Sequence, residues 1–170
     1  MVKAKGYVRL SESDQEFKFE VSEISGGENI KACFACGACD GGCPVRKIYS
    51  DYHPGKIIHM VLLGMKDKVL SSPLIWLCST CYTCYERCPQ NVKLCEVMNV
   101  LKNMAAEAGY APSALAMQPE LFSKFGRLYE IDDFDNNKRG KLGLPAIKTE
   151  ACDVAKIMEM CHLSNGGKEE

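Results

Sequence analysis

Apolar residues recur at helical spacing along most of the chain, and between the two densest groups of cysteines no alternating set of strands can be written. Phe17, Val21 and Ile24 fall at i, i+4 and i+7, and Ser13 with Glu16 forms a capping box ahead of them. Phe17, Phe19 and Val21 also alternate as in a short strand, but the helix is the preferred reading, ended by Gly26-Gly27. An amphipathic helix is predicted from about Pro54 to Met65, with Ile57, Ile58, Val61, Leu62 and Met65 on one face. Ser71-Ser72-Pro73 reads as another helix start with proline at the first position, and Pro44 as one more. Val92, Cys95, Met98, Leu101, Met104 and Ala105 make a further stripe that Gly109 terminates. Beyond Tyr110 the periodicity weakens. A short helix over 121–129, an irregular acidic-polar run over 132–137, a last helix over about 150–163 and a disordered tail SNGGKEE are expected.

The predicted fold class is therefore all-α. Its organisation is an N-terminal segment with one helix (1–28), a central domain (29–109) and a C-terminal extension (110–170) suited to docking. A length of 170 residues fits one domain with long tails. A formal net charge of −1 argues against a nucleic-acid binder, which needs a basic stripe. The N-terminus lacks a signal-peptide core, and the longest apolar stretch, Ile57 to Met65, is interrupted by His59. It is far short of the ~20 residues that span a bilayer, so a cytoplasmic protein without membrane contact is expected. Eleven cysteines in that compartment point to metal ligation rather than disulfides.

Eight of them form two copies of one pattern. Cys33, Cys36, Cys39 and Cys43-Pro44 read C-x-x-C-x-x-C-x-x-x-C-P, and so do Cys78, Cys81, Cys84 and Cys88-Pro89, each position 45 residues after its counterpart. Three thiolates at intervals of three can wrap a loop around one [4Fe–4S] cubane. Small residues such as Ala35, Gly37 and Ala38 let backbone N–H groups approach its sulfurs. In two-cluster ferredoxins of this pattern the fourth cysteine serves the other cluster. By that rule one cluster takes Cys33, Cys36, Cys39 and Cys88, and the other takes Cys78, Cys81, Cys84 and Cys43. Eight thiolates around two such cores would add about four negative charges, making basic partner surfaces plausible. Two four-cysteine zinc sites are the alternative, but zinc modules usually separate two C-x2–4-C pairs by a longer loop.

Cys95 lies on an apolar helical face and reads as a buried structural thiol; Cys152 and Cys161, nine apart, do not share a face. His53 and His59 carry no ligand pattern, and Trp76, Tyr82 and Tyr85 read as shields for a cluster. No G-x-G-x-x-G segment, adjacent cysteine pair or nucleophile–base motif is present. A conduit for electrons with no catalytic residues is thus expected.

The paired motifs around a helical segment resemble the helical-ferredoxin domain found in iron–sulfur subunits of succinate dehydrogenase, fumarate reductase and anaerobic glycerol-3-phosphate dehydrogenase. A closer resemblance is to the iron–sulfur C subunits of the heterodisulfide reductases of methanogenic archaea. It is carried by ENIKACFACGACDGGCPV, by IWLCSTCYTCYERCPQNV and, more loosely, by FGRLYEIDDFDNNKRGKLGLP. That resemblance implies an electron-transfer chain working between two larger partners of one complex. The first partner contains flavin and iron–sulfur clusters. The second reduces the coenzyme M–coenzyme B disulfide at clusters bound by CCG motifs. The resemblance also implies methanogenesis, electron bifurcation and an associated hydrogenase or formate dehydrogenase. The other readings are a relay in a related heterodisulfide-reductase-like, succinate/fumarate or glycerol-3-phosphate complex, a free ferredoxin-like shuttle, and a redox sensor. The long C-terminal extension counts against a shuttle, and the absence of an output domain against a sensor.

Overall fold

A computed structural model describes residues 13–148 and 152–161, and all regular structure among them is helical. The polar tail and both ends of the last predicted helix lie outside the described residues. The chain divides after Tyr110 into two compact units.

In the first unit α1 (Phe17–Glu23) and a 3₁₀ turn (Ile30–Ala32) precede the first cysteine loop. Then come α2 (Ala38–Gly42), α3 (Pro44–Ile48), α4 (Pro54–Leu62) and α5 (Lys66–Leu70). A second 3₁₀ turn (Pro73–Leu77) leads into the second cysteine loop, α6 (Thr83–Glu86) and the long α7 (Leu94–Glu107). The stripe on α7 supplies Leu94, Val97, Met98, Val100, Leu101 and Ala105 to one buried cluster. Phe17 and Val21 of α1, Ile57, Ile58 and Val61 of α4, Val69 and Leu70 of α5, and Ile75 are further members. Six cysteines of the two motifs (Cys33, Cys39, Cys43, Cys78, Cys84 and Cys88) pack against this cluster, so the apolar core is also the floor of the cysteine loops.

The predicted α1 forms, and Asp14 holds the lead into it. The Glu16 N–H donates to Asp14 Oδ1 at 3.0 Å, and Asp14 sits where the chain is already held by its own N–H donating to the Gly64 carbonyl at 2.8 Å. The helix from Pro54 ends at Leu62 rather than Met65, because Gly64 turns left-handed (φ +73°). There the Gly64 and Met65 N–H groups close back onto the Val61 and Met60 carbonyls. Ser72 caps its element as expected, its side chain accepting from the Leu74 N–H at 3.2 Å, but the element is a 3₁₀ turn.

The second unit holds α8 (Ser113–Ala116), α9 (Gln118–Phe125), α10 (Asp133–Lys141) and α11 (Cys152–Met160). The predicted helix at 121–129 begins earlier, with Pro119 in its first turn, and stops at left-handed Gly126. The segment expected to be irregular over 132–137 is instead the start of α10. Apolar periodicity could not show that helix, because α10 is polar nearly all round. It is held by its cap, with Asp132 Oδ1 accepting from the Asp135 N–H at 2.9 Å, and by a clasp to the following loop. In that clasp the Asn136 side chain donates to the Ile147 carbonyl and accepts its N–H, while Arg139 Nε donates to the Pro145 carbonyl at 3.0 Å.

Candidate iron–sulfur site

The two cysteine loops are copies in backbone as well as sequence. Each follows a 3₁₀ turn, and the leading cysteines have nearly the same dihedrals: φ −67°, ψ 119° at Cys33 and φ −61°, ψ 117° at Cys78. Each then turns left-handed at two positions, Ala35 and Gly37 in the first, Thr80 and Tyr82 in the second. Holding alanine, threonine or tyrosine there costs roughly 1–2 kcal/mol apiece and persists only where the surroundings dictate it. Such reversals let successive N–H groups face one concavity, the usual backbone cradle for an anionic centre. Small residues alone did not reveal this. The 45-residue repeat did contain the signal, because it places Tyr82 on the position of Gly37.

Each loop ends in a short helix, α2 or α6, that carries the third cysteine, and these two helices pack on each other. Gly42 of α2 and Arg87 just after α6 are repeat partners, and the Arg87 side chain lies over Gly42 so closely that a Cβ there would meet its Cδ at 2.8 Å. This packing brings Cys39 and Cys84 onto one wall.

Two cavities result. The first is lined by Cys33, Cys36, Cys39 and Cys88, with Cys84 also on its wall. The second is lined by Cys43, Cys78, Cys81 and Cys84, together with a fifth thiol, Cys95. Cys84 and Leu94 belong to both walls. The fourth cysteine of each motif therefore lies with the first three of the other.

The walls differ in polarity. The first includes Asp40, Lys56, His59 and Gln90; the second is closed by Val45, Tyr52, Pro54 and Leu94. Asp40 fixes the start of α4 by accepting from the Gly55 N–H at 2.8 Å, and lies 3.9 Å from His53 Nδ1. Gly55 must be small, since a Cβ there would stand 3.0 Å from Asp40 Oδ2 and 3.3 Å from Cys39 Sγ. The Val92 N–H donates to Cys88 Sγ at 3.4 Å, a bond of the kind that stabilises a thiolate ligand. Tyr52, which sequence reasoning passed over, is 1% exposed, and its phenol pKa is raised by burial and by the neighbouring Cys78. Trp76, Tyr82 and Tyr85 stand on neither wall; Tyr82 is 43% exposed and meets Tyr85 edge-on.

Burial pushes the Cys39 thiol up to about 11, helped by the Asp40 charge, and Cys84 up to about 12, helped by Cys95. Cys81 is exposed and shifts the other way, held down by Thr83, whose Oγ1 is 3.5 Å from its sulfur. Metal ligation requires the thiolate, so as cluster ligands Cys39 and Cys84 would give up protons on loading, and assembly would then accelerate as pH rises. When iron is stripped by a chelator in the presence of iodoacetamide, Cys81 should be alkylated before Cys84. Peptide mass spectrometry against time gives the order, and simultaneous labelling would contradict this account.

The donor set fits an iron–sulfur core. Five cysteines line each space, whereas among the described residues no three His, Cys, Asp or Glu side chains converge as ligands of a single ion. A mononuclear zinc site needs sulfurs about 2.3 Å from one metal; a cubane spreads its four ligands over four irons.

Fold and site together define a helical, ferredoxin-like iron–sulfur protein, and residues 29–92 match the 4Fe-4S dicluster domain family. Similarity extends well beyond that domain. The chain is 41% identical to the second iron–sulfur C subunit of the CoB–CoM heterodisulfide reductase of Methanocaldococcus jannaschii, across 89% of this chain and 84% of that protein. It is 35% identical to the C subunit of the H(2):CoB-CoM heterodisulfide,ferredoxin reductase of Methanothermobacter thermautotrophicus, across 81% and 73%. The C subunit of the ferredoxin:CoB-CoM heterodisulfide reductase of Methanosarcina mazei is 32% identical over 71% and 74%. The chain belongs to the family of heterodisulfide reductase C subunits, and that reductase is an oxidoreductase of several subunits. No helix among the described residues is long and apolar enough to cross a membrane.

Proposed function

We propose that the chain relays electrons through two [4Fe–4S] clusters within a cytoplasmic heterodisulfide reductase, from its flavin-containing subunit to its disulfide-reducing subunit. Cys33, Cys36, Cys39 and Cys88 hold one cluster, and Cys78, Cys81, Cys84 and Cys43 hold the other. The observation that carries this reading is the pair of thiol-lined cavities sharing the Cys84–Leu94 wall. A shared wall keeps two redox centres within direct exchange distance. When bound, each cluster takes up and returns one electron. The chain's own part is to hold the thiolates, cradle the cores with backbone N–H groups and seat both on the apolar floor of α7.

Residues 110–170 serve as the docking extension in this reading, with residues 29–109 as the redox domain and 1–28 as the N-terminal segment. A relay has no need of a substrate-transforming site. The names of the relatives differ in electron source, hydrogen in one and hydrogen or formate in another, so the donor complex is left open between a hydrogenase and a formate dehydrogenase. Anaerobic purification from the native source tests the proposal. About eight iron and eight sulfide per chain are expected, in a complex with a flavoprotein and a chain carrying CCG motifs. Zinc without sulfide would overturn the cofactor, and a partner set without a CCG-motif chain would move the protein to a related complex.

A further inference from the structure

Cys95 contributes to no motif, and sequence reasoning gave it only a structural place. The structure puts it on the wall of the second cavity, 1% exposed, as a fifth thiol beside Cys78, Cys81 and Cys84. It comes from the first turn of α7, which gives the core Leu94, Val97, Met98, Val100, Leu101 and Ala105, so its position is set by the core rather than by the loop. The short helix α6 that ends the loop packs against α7.

The first cavity has no counterpart. The residue 45 positions before Cys95 is Ser50, which is absent from the first wall. Among the described residues, only the second of the two otherwise repeated sites therefore carries a spare soft donor outside both motifs. Its most exposed ligand, Cys81, comes from the adjoining loop and lies on that wall alone.

We propose that Cys95 is a reserve iron ligand of the second cluster, able to take the iron that Cys81 leaves when that thiol is lost. The exchange is a ligand substitution with no net electron transfer. The Cys95 S–H bond breaks, its proton passes to solvent, and the sulfur donates to the iron no longer held by Cys81. Movement of the loop is the only rearrangement required, since α7 stays in place.

This inference rests on the ligand sets proposed above, and the repeat supplies its control. Full-length chains carrying Cys36→Ala, Cys81→Ala or Cys81→Ala with Cys95→Ala are to be reconstituted anaerobically beside the unaltered protein. Iron and sulfide are counted, and EPR spectra are recorded in the oxidised and reduced states. Cys36→Ala should lose an iron and show a three-iron signal when oxidised, or lose the first cluster entirely. Cys81→Ala should keep about eight iron and two reducible four-iron signals, one altered in shape by the new ligand. The double variant should behave at the second site as Cys36→Ala does at the first.

A three-iron signal in Cys81→Ala matching that of Cys36→Ala would overturn the inference. So would failure of Cys81→Ala to assemble while Cys36→Ala assembles, or a double variant no worse than the single one. Failure of the underlying cluster reading is distinguishable, because the unaltered chain itself would then lack two four-iron signals.

Discussion

Cys43→Ala is expected to damage the cluster of the second cavity and leave the first intact, although Cys43 belongs to the first motif. Its sulfur lines the space ringed by Cys78, Cys81 and Cys84 and is not on the wall of the other cavity. The reason lies in the chain path. Cys43 closes α2 in extended conformation (φ −74°, ψ 120°), and Pro44 immediately starts α3, so the thiol leaves the loop that carries Cys33, Cys36 and Cys39. Cys88 does the converse after α6. Cys88→Ala should therefore spoil the first cluster and spare the second. The expected effect is loss of most of one EPR signal, with the other retained near full intensity. Cys36→Ala identifies the first signal, since Cys36 lines the first cavity alone. If Cys43→Ala and Cys36→Ala removed the same signal, each motif would be holding its own cluster and the crossed assignment would be refuted.

How much of this was legible beforehand depends on which physical signal each feature leaves in the sequence. The helical class and the cysteine repeat were plain, since apolar periodicity and ligand spacing are both local patterns. Tyr52 and Cys95 were not legible as parts of the second wall. Tyr52 lies 26 residues from Cys78 and Cys95 eleven residues beyond Cys84, and only the packing of α4 and α7 on the core brings them to the thiols. Trp76, two residues from Cys78 in sequence, packs against the same core cluster as that cysteine. The α10 helix was missed because its stability comes from the Asp132 cap and the Asn136 and Arg139 bonds to the loop at 145–147, not from an apolar face. The Asp132–Asp135 pair was a capping signal that outweighs the weak periodicity around it.

The second large effect is one of stability and falls far from any cysteine. Gly64→Ala should destabilise the first unit by about 3 kcal/mol, combining left-handed strain with overpacking. Gly64 adopts φ +73°, and a Cβ there would lie 2.2 Å from the Asp14 carbonyl oxygen and 2.7 Å from its carbon. Both obstacles are backbone, so no rotamer change relieves them. Retreat of the Asp14 segment would also stretch the Asp14 N–H bond to the Gly64 carbonyl, now 2.8 Å, and disturb the lead into α1. Gly109 provides the comparison: it is equally left-handed at φ +79°, but nothing lies within 4 Å of its would-be Cβ. Gly109→Ala should therefore cost only the conformational part, about 1 kcal/mol. Anaerobic denaturant unfolding of the cluster-loaded protein, followed by far-UV circular dichroism, should show a midpoint for Gly64→Ala well below that for Gly109→Ala. Equal midpoints would mean that the α1–α4 junction yields freely. Loss of iron should accompany the larger shift, because α4 carries Gly55 and Lys56 on the first wall and a loosened α4 loosens the seat of Cys39.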